Sequence, residues 1–292
     1  MTVRVVTDST SYLPPEDLAT LGISVVPLSV TLGGVTEDER EIDAGAFYER
    51  MRDTGEFPAS SQPPVAAIVE ALEAPVAAGD EVVAVLLSSK MSGTFETALM
   101  ARDQVLERHP GAVIEIVDSR SNSMEEGFAV LAAARAAAAG APASDVAAAA
   151  RHTTARTRWL FTPLTLEYLR MGGRIGNATA LLGTLLRISP ILTVVDGVTA
   201  PFRQVRTHHR ALETIADQVA ADFASHGFVD AVVHHVLAPD EGEALAAMIE
   251  TRSGHRPRIQ ELGPVIAAHV GPGALGVVYE TRDELHKDTG EQ

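Results

Sequence analysis

The chain has 292 residues, of which 46% are hydrophobic and 21% are charged. This is the composition of a globular protein rather than a disordered one, and the length is sufficient for two domains. The formal net charge of -16 argues against nucleic acids and anionic membrane surfaces as the main partners. Because cysteine is absent, disulfides, thiolate metal sites and cysteine catalysis are excluded.

The N-terminal segment is predicted to be a strand rather than a targeting sequence. Residues 1–8 mix charged and apolar side chains and lack the apolar core of a signal peptide. The longest apolar stretch, residues 128–139, contains Arg135, and nowhere do about 20 apolar residues follow one another as a membrane-spanning helix requires. We therefore expect a cytoplasmic protein without integral membrane association.

Strand and helix patterns alternate along the first half of the chain. Apolar, β-branched runs predict strands at residues 3–6, 24–30, 81–87 and 113–117. Helical patterns cover residues 14–21, 44–53, 64–73, 94–107 and 125–139. This alternation predicts a Rossmann-like N-terminal domain of three layers, α/β/α, whose mostly parallel sheet is covered on both faces.

The second half of the chain has more strands and fewer helices. Strands are predicted at residues 159–162, 191–195, 204–207, 229–236, 258–261 and 275–279, and helices at 163–171, 209–225 and 240–251. Asp196-Gly197 is a hairpin signal, because both residues tolerate the positive φ that a tight hairpin turn needs. These patterns predict a C-terminal two-layer α/β domain with a mixed sheet. We place the two domains at residues 1–154 and 155–285.

Two serine-bearing segments predict an anion site. Ser60-Ser61-Gln62-Pro63 precedes one helix, and Ser88-Ser89-Lys90-Met91-Ser92-Gly93-Thr94 joins a buried strand to another helix. Loops at the carboxyl ends of parallel strands hold ligands in α/β proteins, and the first N–H groups of a helix favour an anion. The site would suit a carboxylate or a phosphate. The structural alternative is that Ser92 and Ser61 cap the helices that begin near Thr94 and near Pro63 or Pro64.

The segment around His269 carries a glycine-rich turn. Gly271-Pro272-Gly273-Ala274-Leu275-Gly276 matches the dinucleotide-binding pattern, but only 16 residues follow it, too few for the rest of that motif. We interpret it instead as a tight turn that holds His269 at the end of a strand. His269 is then either a buried core residue or a contact for a ligand anion, whose carboxylate would raise the pKa of the imidazole.

Other candidate chemistry is weaker. The segment 169–176 has the glycines and cations typical of a helix C-terminus, although Arg170 and Arg174 would also suit an anionic group. Asp8 and Asp118 are interpreted as loop caps rather than an acidic pair. The sequence contains no G-x-S-x-G, no Walker A motif and no H-E-x-x-H, and we interpret the doublets His208-His209 and His234-His235 as non-metal. We expect no catalytic residue, cofactor or metal.

Taken in order, these motifs resemble those of the DegV family of bacterial lipid-binding proteins. The landmarks are Val6-Thr7-Asp8-Ser9-Thr10, Val26-Pro27-Leu28, the two serine segments, Val117-Asp118-Ser119, Leu169-Arg170-Met171-Gly172-Gly173-Arg174-Ile175, Arg206-Thr207 and the turn that begins at His269. The resemblance covers nearly the whole chain. Each motif is weak alone, and their order and spacing make the resemblance specific.

The resemblance implies a carrier of one long-chain fatty acid such as palmitate or oleate. The acyl chain would lie in an apolar tunnel and its carboxylate at the junction of two α/β domains. The family's carboxylate contacts fall on Ser60, Ser92 and His269, with Ser61, Gly93, Thr94 and Arg170 as secondary candidates. Family members often serve as the carrier subunit of a fatty acid kinase, whose ATP-binding partner phosphorylates the carboxylate for phospholipid synthesis.

The chain departs from the family pattern at two places. Ser189 replaces the lysine of the family's Ile-Lys-Pro-Ile segment, and Glu125-Glu126 adds negative charge where relatives tend to have small residues. Two alternative functions stay open. One is a stand-alone serine hydrolase that uses Ser92 with His269, and the other is a carrier of a different amphipathic carboxylate.

Overall fold

The computed structural model describes residues 2–182 and 188–286. Its strands are β1 Val3–Asp8, β2 Ser24–Val26, β3 Ser29–Leu32, β4 Val35–Asp38, β5 Ala59–Ser61, β6 Glu81–Leu86, β7 Ile114–Asp118, β8 Thr157–Thr162, β9 Ser189–Val195, β10 Val198–Val205, β11 Phe228–His235, β12 Arg258–Glu261 and β13 Leu275–Thr281. Its α-helices are α1 Pro15–Leu21, α2 Ala44–Thr54, α3 Val65–Ala77, α4 Thr94–Arg108, α5 Ser123–Ala138, α6 Ala143–Thr154, α7 Glu167–Met171, α8 His208–His226, α9 Pro239–Ser253 and α10 Pro264–Val270.

The chain divides into two compact units. The first consists of the residues up to Thr31, Thr36–Glu41 and Ser60–Thr154, and the second of Leu32–Val35, Ile42–Ala59 and the residues from Ala155 onward. Helix α2 is therefore part of the second unit although its sequence precedes most of the first. It begins after Asp43, whose side chain accepts a hydrogen bond from the Ala46 N–H (2.7 Å). The placement of independent domains at residues 1–154 and 155–285 stays a prediction.

A four-stranded parallel sheet forms the centre of the first unit. Its strand order is β2-β1-β6-β7, and each neighbouring pair is parallel. The apolar cluster on one face packs against α3 and α4, whereas α5 and α6 contact β1, β6 and β7 on the other face, where Val83 and Val85 are buried. Strands buried on both faces are almost continuously apolar, which is why the sequence pattern identified them.

A six-stranded mixed sheet forms the centre of the second unit. Its order is β10-β9-β8-β13-β11-β12, in which β11 and β12 run parallel and the other pairs are antiparallel. Helices α8 and α9 pack on it through an apolar cluster that includes Ile215, Leu245 and Val277. A further small sheet has the order β4-β3-β5. The predicted fold class, a parallel three-layer domain followed by a mixed-sheet domain, is confirmed.

Several element boundaries differ from those predicted. The run 24–30 is two strands, β2 and β3, because Pro27 cannot donate a backbone hydrogen bond inside a strand. The predicted strand 204–207 is the end of a longer strand, β10, and α7 begins at Glu167 rather than at residue 163. His269 lies in the helix α10 and not at the end of a strand. The Asp196-Gly197 hairpin between β9 and β10 is confirmed.

Candidate functional site

Three polar loops leave the parallel sheet of the first unit at the same edge. Strand β1 ends at Asp8 and β7 at Asp118, and the pairing of Thr7 with Val85 and of Leu86 with Asp118 aligns their ends with the end of β6. The loop after β6 carries Ser92. This edge is where α/β folds place ligands, so the sheet brings the predicted anion site to a suitable position.

The loop after β6 is fixed by its own backbone and by Asp118. The Ser88 carbonyl accepts hydrogen bonds from the backbone N–H groups of Met91 (3.0 Å) and Ser92 (3.1 Å). Ser89 donates to the Asp118 carboxylate from its backbone N–H (3.2 Å) and from its hydroxyl (2.6 Å). Asp118 is therefore a loop cap, as the sequence indicated. A loop fixed in this way can present its side chains without a large entropic cost on ligand binding.

Ser92 does not occupy the N-cap position of helix α4. The N-cap is Gly93, which has no side chain to form a cap, so the prediction of Ser92 as the N-cap residue is wrong, although its hydroxyl contacts the first N–H of the helix. The half-buried Ser92 hydroxyl lies 2.9 Å from the Thr94 hydroxyl and accepts a hydrogen bond from the Thr94 N–H (3.3 Å). A contact between two hydroxyls uses one of their two protons. The Ser92–Thr94 pair therefore retains a second proton that a carboxylate oxygen can accept.

The segment Ser60–Gln62 is held against the start of α4. The Gln62 side chain donates to the Thr97 hydroxyl (2.6 Å). A Cβ atom at Gly93 would lie 2.0 Å from the Gln62 side-chain oxygen, so glycine at position 93 is what permits this approach. The two serine motifs, distant in sequence, are thus neighbours within one unit. Position 93 supplies space there rather than a side chain.

Neither Ser60 nor Ser61 caps the next helix. Both belong to β5, Ser60 half-buried and Ser61 exposed. Helix α3 begins at Val65 after Pro64, without a side-chain cap, so the capping alternative for Ser61 is wrong. Ser60 is more protected from solvent than Ser61. A hydrogen bond from its hydroxyl to a ligand would therefore be less weakened by water.

His269 is a buried, neutral imidazole in the second unit. It lies near the end of α10 and its residue is 7% exposed. Burial lowers the pKa of His269 to about 4, and the nearby positive charge of Arg174 lowers it further. Both effects lower the pKa of His269, whereas the sequence analysis considered a ligand anion that would raise it. A neutral imidazole still offers a ligand one donor or one acceptor nitrogen.

Glycines determine the shape of the turn after His269. Gly271 and Gly273 have φ of 81° and 75°, the left-handed range that glycine adopts without strain. A Cβ at Gly271 would lie 2.3 Å from the Tyr168 ring, and one at Gly276 would lie 2.3 Å from the Leu160 carbonyl oxygen. The pattern Gly-x-Gly-x-x-Gly is therefore a requirement of a tight turn and of close strand packing. It does not form the strand-to-helix turn of a dinucleotide site.

Arg174, which the sequence analysis named as suited to an anionic group but not as a carboxylate contact, is the arginine whose charge acts on His269. It is half-buried, and its guanidinium donates to the Gly172 carbonyl. Arg170 is exposed and already forms an ion pair with Glu167, which makes it a weaker contact for an anion. The sequence signal for the different burial of the two arginines was the glycine pair between them, because glycines allow the chain to turn there and to place the two side chains in different environments.

The second unit also contains a cavity of about 600 Å³. Its lining is mostly apolar: Tyr48, Met51, Phe57, Tyr168, Leu237 and Pro272 contribute, together with Glu49 and Glu56. Tyr168 is the ring that packs on Gly271, so the cavity lies beside the turn that follows His269. A volume of this size is in the usual range for small-molecule sites, about 300–1,000 Å³.

Asp8 forms an acidic pair, but with Glu126 and not with Asp118. The Asp8 carboxylate accepts hydrogen bonds from the Thr10 N–H (2.9 Å) and from the Leu87 N–H (2.9 Å). Glu126, on α5, accepts from the Thr7 hydroxyl (3.1 Å). Sequence reasoning noted the charge at position 126 but missed this contact, because a glutamate in the first turn of a helix is common.

Three further observations concern Ser189, metal binding and membrane-spanning helices. Ser189, where the family resemblance implied a lysine, is half-buried at the start of β9 and pairs with Val205. In residues 2–182 and 188–286, no group of three or more histidine, aspartate or glutamate side chains is arranged to hold a metal ion. Within the same residues, no helix combines the length and apolarity needed to cross a bilayer.

Similarity to known proteins extends over nearly the whole sequence. A model of the DegV family, described as an uncharacterised protein family, matches residues 2–282. The chain belongs to the DegV family. A DegV domain-containing protein of Clostridium acetobutylicum is 44% identical to it over 285 residues, which cover 98% of this chain and 100% of the relative. The family resemblance inferred from the motifs is therefore confirmed.

Solved DegV structures have the same fold. A fatty-acid-binding DegV protein from Thermus thermophilus has a TM-score of 0.87 at 31% identity and covers 96% of this chain and 100% of its own. DegV of Bacillus subtilis, a fatty acid binding protein, has a TM-score of 0.85 at 31% identity, covering 96% and 99%. A stearic acid-binding protein from Eubacterium ventriosum has a TM-score of 0.85 at 26% identity, covering 96% and 98%.

Proposed function

We propose that this DegV-family chain binds one long-chain fatty acid and holds its carboxylate with Ser60, Ser92 and His269. The observation that carries the proposal is the packing of Gln62 against Gly93, which makes the two serine motifs neighbours. The proteins from Thermus thermophilus and Bacillus subtilis, both fatty acid binding proteins, support this ligand class. Ser61, Gly93, Thr94 and Arg170 are secondary: Thr94 shares a hydroxyl contact with Ser92, and Gly93 provides space.

Burial of the acyl chain would supply most of the binding free energy. Each methylene removed from water contributes about 0.8 kcal/mol, so a chain of ~16 carbons gains on the order of 10 kcal/mol before the costs of ordering. The apolar part of the 600 Å³ cavity supports a ligand of this kind. The carboxylate then needs hydrogen bonds that offset its desolvation, and two serine hydroxyls with one imidazole N–H are suitable donors.

We further propose that the bound carboxylate is presented to an ATP-binding kinase. One carboxylate oxygen would attack the γ-phosphorus of ATP, forming the acyl–phosphate bond while the bond between the β- and γ-phosphates breaks and ADP leaves. The carrier supplies orientation in this scheme, and the kinase supplies the nucleotide. Cytoplasmic localisation, where such a kinase would act, stays a prediction.

The hydrolase alternative has less support. The hydrogen bonds of the Ser92 hydroxyl go to Thr94, not to a general base that would activate a nucleophile. A carrier of a different amphipathic carboxylate would use the same polar contacts, so the identity of the extracted ligand separates it from the proposal.

The first experiment is native mass spectrometry of the purified chain, followed by solvent extraction. We expect one fatty acid per chain. A different amphipathic acid would select the alternative carrier, and turnover of an acyl ester that Ser92→Ala abolishes would select the hydrolase. A chain that is empty and also fails to take up oleate or palmitate would contradict the proposed function.

The site assignment is tested by the double variant Ser92→Ala/His269→Ala. Each hydrogen bond to a charged group contributes about 1.5–3 kcal/mol, so we expect oleate affinity to fall roughly 100-fold or more. The matched control is Ser225→Ala/His209→Ala, because both residues lie on α8 and are exposed. Titration calorimetry with oleate measures both. Equal affinities for the two double variants would show that the assigned residues do not hold the carboxylate.

A further inference from the structure

Two carboxyl groups are buried next to each other at the edge of the parallel sheet that carries the Ser92 loop. Asp8 ends β1 and Glu126 lies in the first turn of α5, and both residues are 0% exposed. The hydroxyl of Thr10 lies within hydrogen-bond distance of both carboxyls. The close packing depends on Gly127, where a Cβ would lie 2.6 Å from the Ser11 carbonyl oxygen. The proposed carboxylate contacts do not include this acid pair.

The hydrogen bonds around Thr10 require a carboxyl proton. The Thr10 hydroxyl oxygen lies 2.6 Å from the Asp8 carboxyl and 3.0 Å from the Glu126 carboxyl. A threonine hydroxyl has one proton, so it donates fully to only one of these two carboxyls. A proton on the other carboxyl lets that group donate to the Thr10 oxygen, and this arrangement satisfies both contacts.

The proton belongs on Glu126. Asp8 accepts hydrogen bonds from two backbone N–H groups, those of Thr10 and Leu87 (both 2.9 Å), and N–H donors stabilise the ionised form of a carboxyl. Glu126 accepts from the Thr7 hydroxyl (3.1 Å). Burial raises the pKa of Glu126 well above its ordinary value, and the negative charge of Asp8 raises it further.

A short series of contacts joins the acid pair to Ser92. The Asp8 carboxylate holds the N–H of Leu87 (2.9 Å), the residue that precedes Ser88. The Ser88 carbonyl in turn accepts from the N–H of Ser92 (3.1 Å). Because the Asp8 carboxylate binds the Leu87 N–H directly and the Ser88 carbonyl binds the Ser92 N–H, a shift of Asp8 is transmitted to the loop that carries the Ser92 hydroxyl.

We propose that Glu126, kept as a carboxylic acid, is a positioning residue for the fatty-acid carboxylate and acts through Asp8 and Leu87 on the Ser92 loop. This inference rests on the proposed function. Ionisation of Glu126 would place two negative charges side by side in a medium of low dielectric. Relief of that repulsion requires Asp8 or α5 to move, and either movement releases the Leu87 N–H.

Three acidic side chains near this pair accept hydrogen bonds from hydroxyl groups. In the adjacent loops, Asp118 accepts from Ser89, Glu125 from Ser121, and Glu39 from Ser9 and Tyr12. The other titratable groups on α5, on β1 and on the elements packed against them are Arg4, Glu16, Asp17, Glu70, Glu73, Glu81, Arg135, Asp145, Arg151 and His152. The charge that acts on Glu126 is that of Asp8.

The protonation state is tested by carbon NMR of the side-chain carboxyls, with Glu126→Gln identifying the Glu126 signal. We expect a protonated carboxyl at pH 7. Oleate affinity, measured from pH 6 to 10, should fall at least tenfold across the pH range in which this signal titrates. In Glu126→Gln, the ratio of affinities across the same range should be close to one. Glu125→Gln, which alters the preceding buried glutamate, should keep the wild-type ratio.

Two results would overturn the proposal: an ionised Glu126 at pH 7, or titration of its signal without a change in oleate affinity. If the Glu126 carboxyl stays protonated up to pH 10, the variant Asp8→Asn tests the positioning role instead. Asparagine cannot replace all the acceptors of Asp8, so oleate affinity should fall at least tenfold, whereas Asp80→Asn, half-buried at the opposite edge of the sheet, should not change it. Equal affinities in these two variants would reject the positioning role.

The failure of the proposed function is distinguishable from the failure of this inference. A wild-type chain that binds no fatty acid at any pH rejects both the carrier function and the positioning role, while the NMR signal still reports the state of Glu126. A chain that binds oleate with equal affinity in every Asp8 and Glu126 variant rejects the positioning role alone.

Discussion

The imidazole of His269 lies against the backbone of Gly172, in the turn that follows α7. A Cβ at position 172 would lie 2.1 Å from the His269 Nδ1 atom. Gly172 has φ of −73°, so its backbone would accept any residue, and only the missing side chain matters. Gly173, the next residue, has φ of 71° with open space around it. The two glycines are therefore required for different reasons.

Gly172→Ala should displace His269. Overpacking at a buried contact costs about 1–3 kcal/mol, so we expect a loss of stability in that range together with weaker oleate binding. Gly173→Ala is the matched control: it should cost about 1 kcal/mol through its left-handed backbone and leave oleate affinity nearly unchanged. Urea unfolding and calorimetry measure both effects. Oleate affinity that falls equally in both variants would argue against displacement of His269.

Backbone conformation determines the hairpin between β9 and β10. Asp196 and Gly197 have φ of 51° and 81°, both in the left-handed range, as in the turn whose twist matches that of two antiparallel strands. The strands pair from Val195 and Val198 outward. A local signal of two residues was enough to predict this element because the turn conformation follows from the backbone preferences of these two neighbouring residues.

Gly197→Ala should therefore destabilise the second unit by about 1 kcal/mol, because alanine is strained at this φ. Asp196→Asn should cost little, since asparagine also tolerates the left-handed conformation. Thermal unfolding of the two variants tests the difference. A Gly197→Ala variant as stable as wild type would contradict the assigned turn geometry.

Helix α10 shows where a local signal was insufficient. The seven residues Pro264–Val270 are all buried, and a short apolar run has no polar face from which to tell a helix from a strand. Pro264 at its first turn and Gly271 after its end are consistent with a helix, and packing against α7 selects it. The position of His269 therefore followed from tertiary contacts and not from periodicity.

Two buried histidines influence the acid stability of the whole molecule. Burial lowers the pKa of His234, on β11, to about 3 and that of His269 to about 4. In the unfolded chain each would titrate at about 6.5. Below that pH the unfolded state binds more protons than the folded state, so stability is lost as the pH falls from about 6.5 towards 4 and 3.

His234→Gln should reduce this loss. One pH unit of differential protonation corresponds to about 1.4 kcal/mol, so between pH 6.5 and 4.5 the variant should lose roughly 2–3 kcal/mol less than wild type, whatever its stability at pH 7. His209→Gln, at an exposed position, is the control and should keep the wild-type slope. Denaturant unfolding at several pH values gives the slopes. Equal slopes in all three proteins would contradict a neutral, buried His234.

Local sequence signals were enough to predict most of the strands and helices, the Asp196-Gly197 hairpin and the glycine turn after His269. The order of the motifs was enough to identify the family. These features depend on backbone preferences and on periodicity, which act over a few neighbouring residues. Only the tertiary structure decided which residues lie against each other: Gln62 against Gly93, His269 against Gly172, and Asp8 near Glu126. Such contacts join segments far apart in the chain, and they are selected by close packing and by the need of buried polar groups for partners, neither of which a local pattern contains.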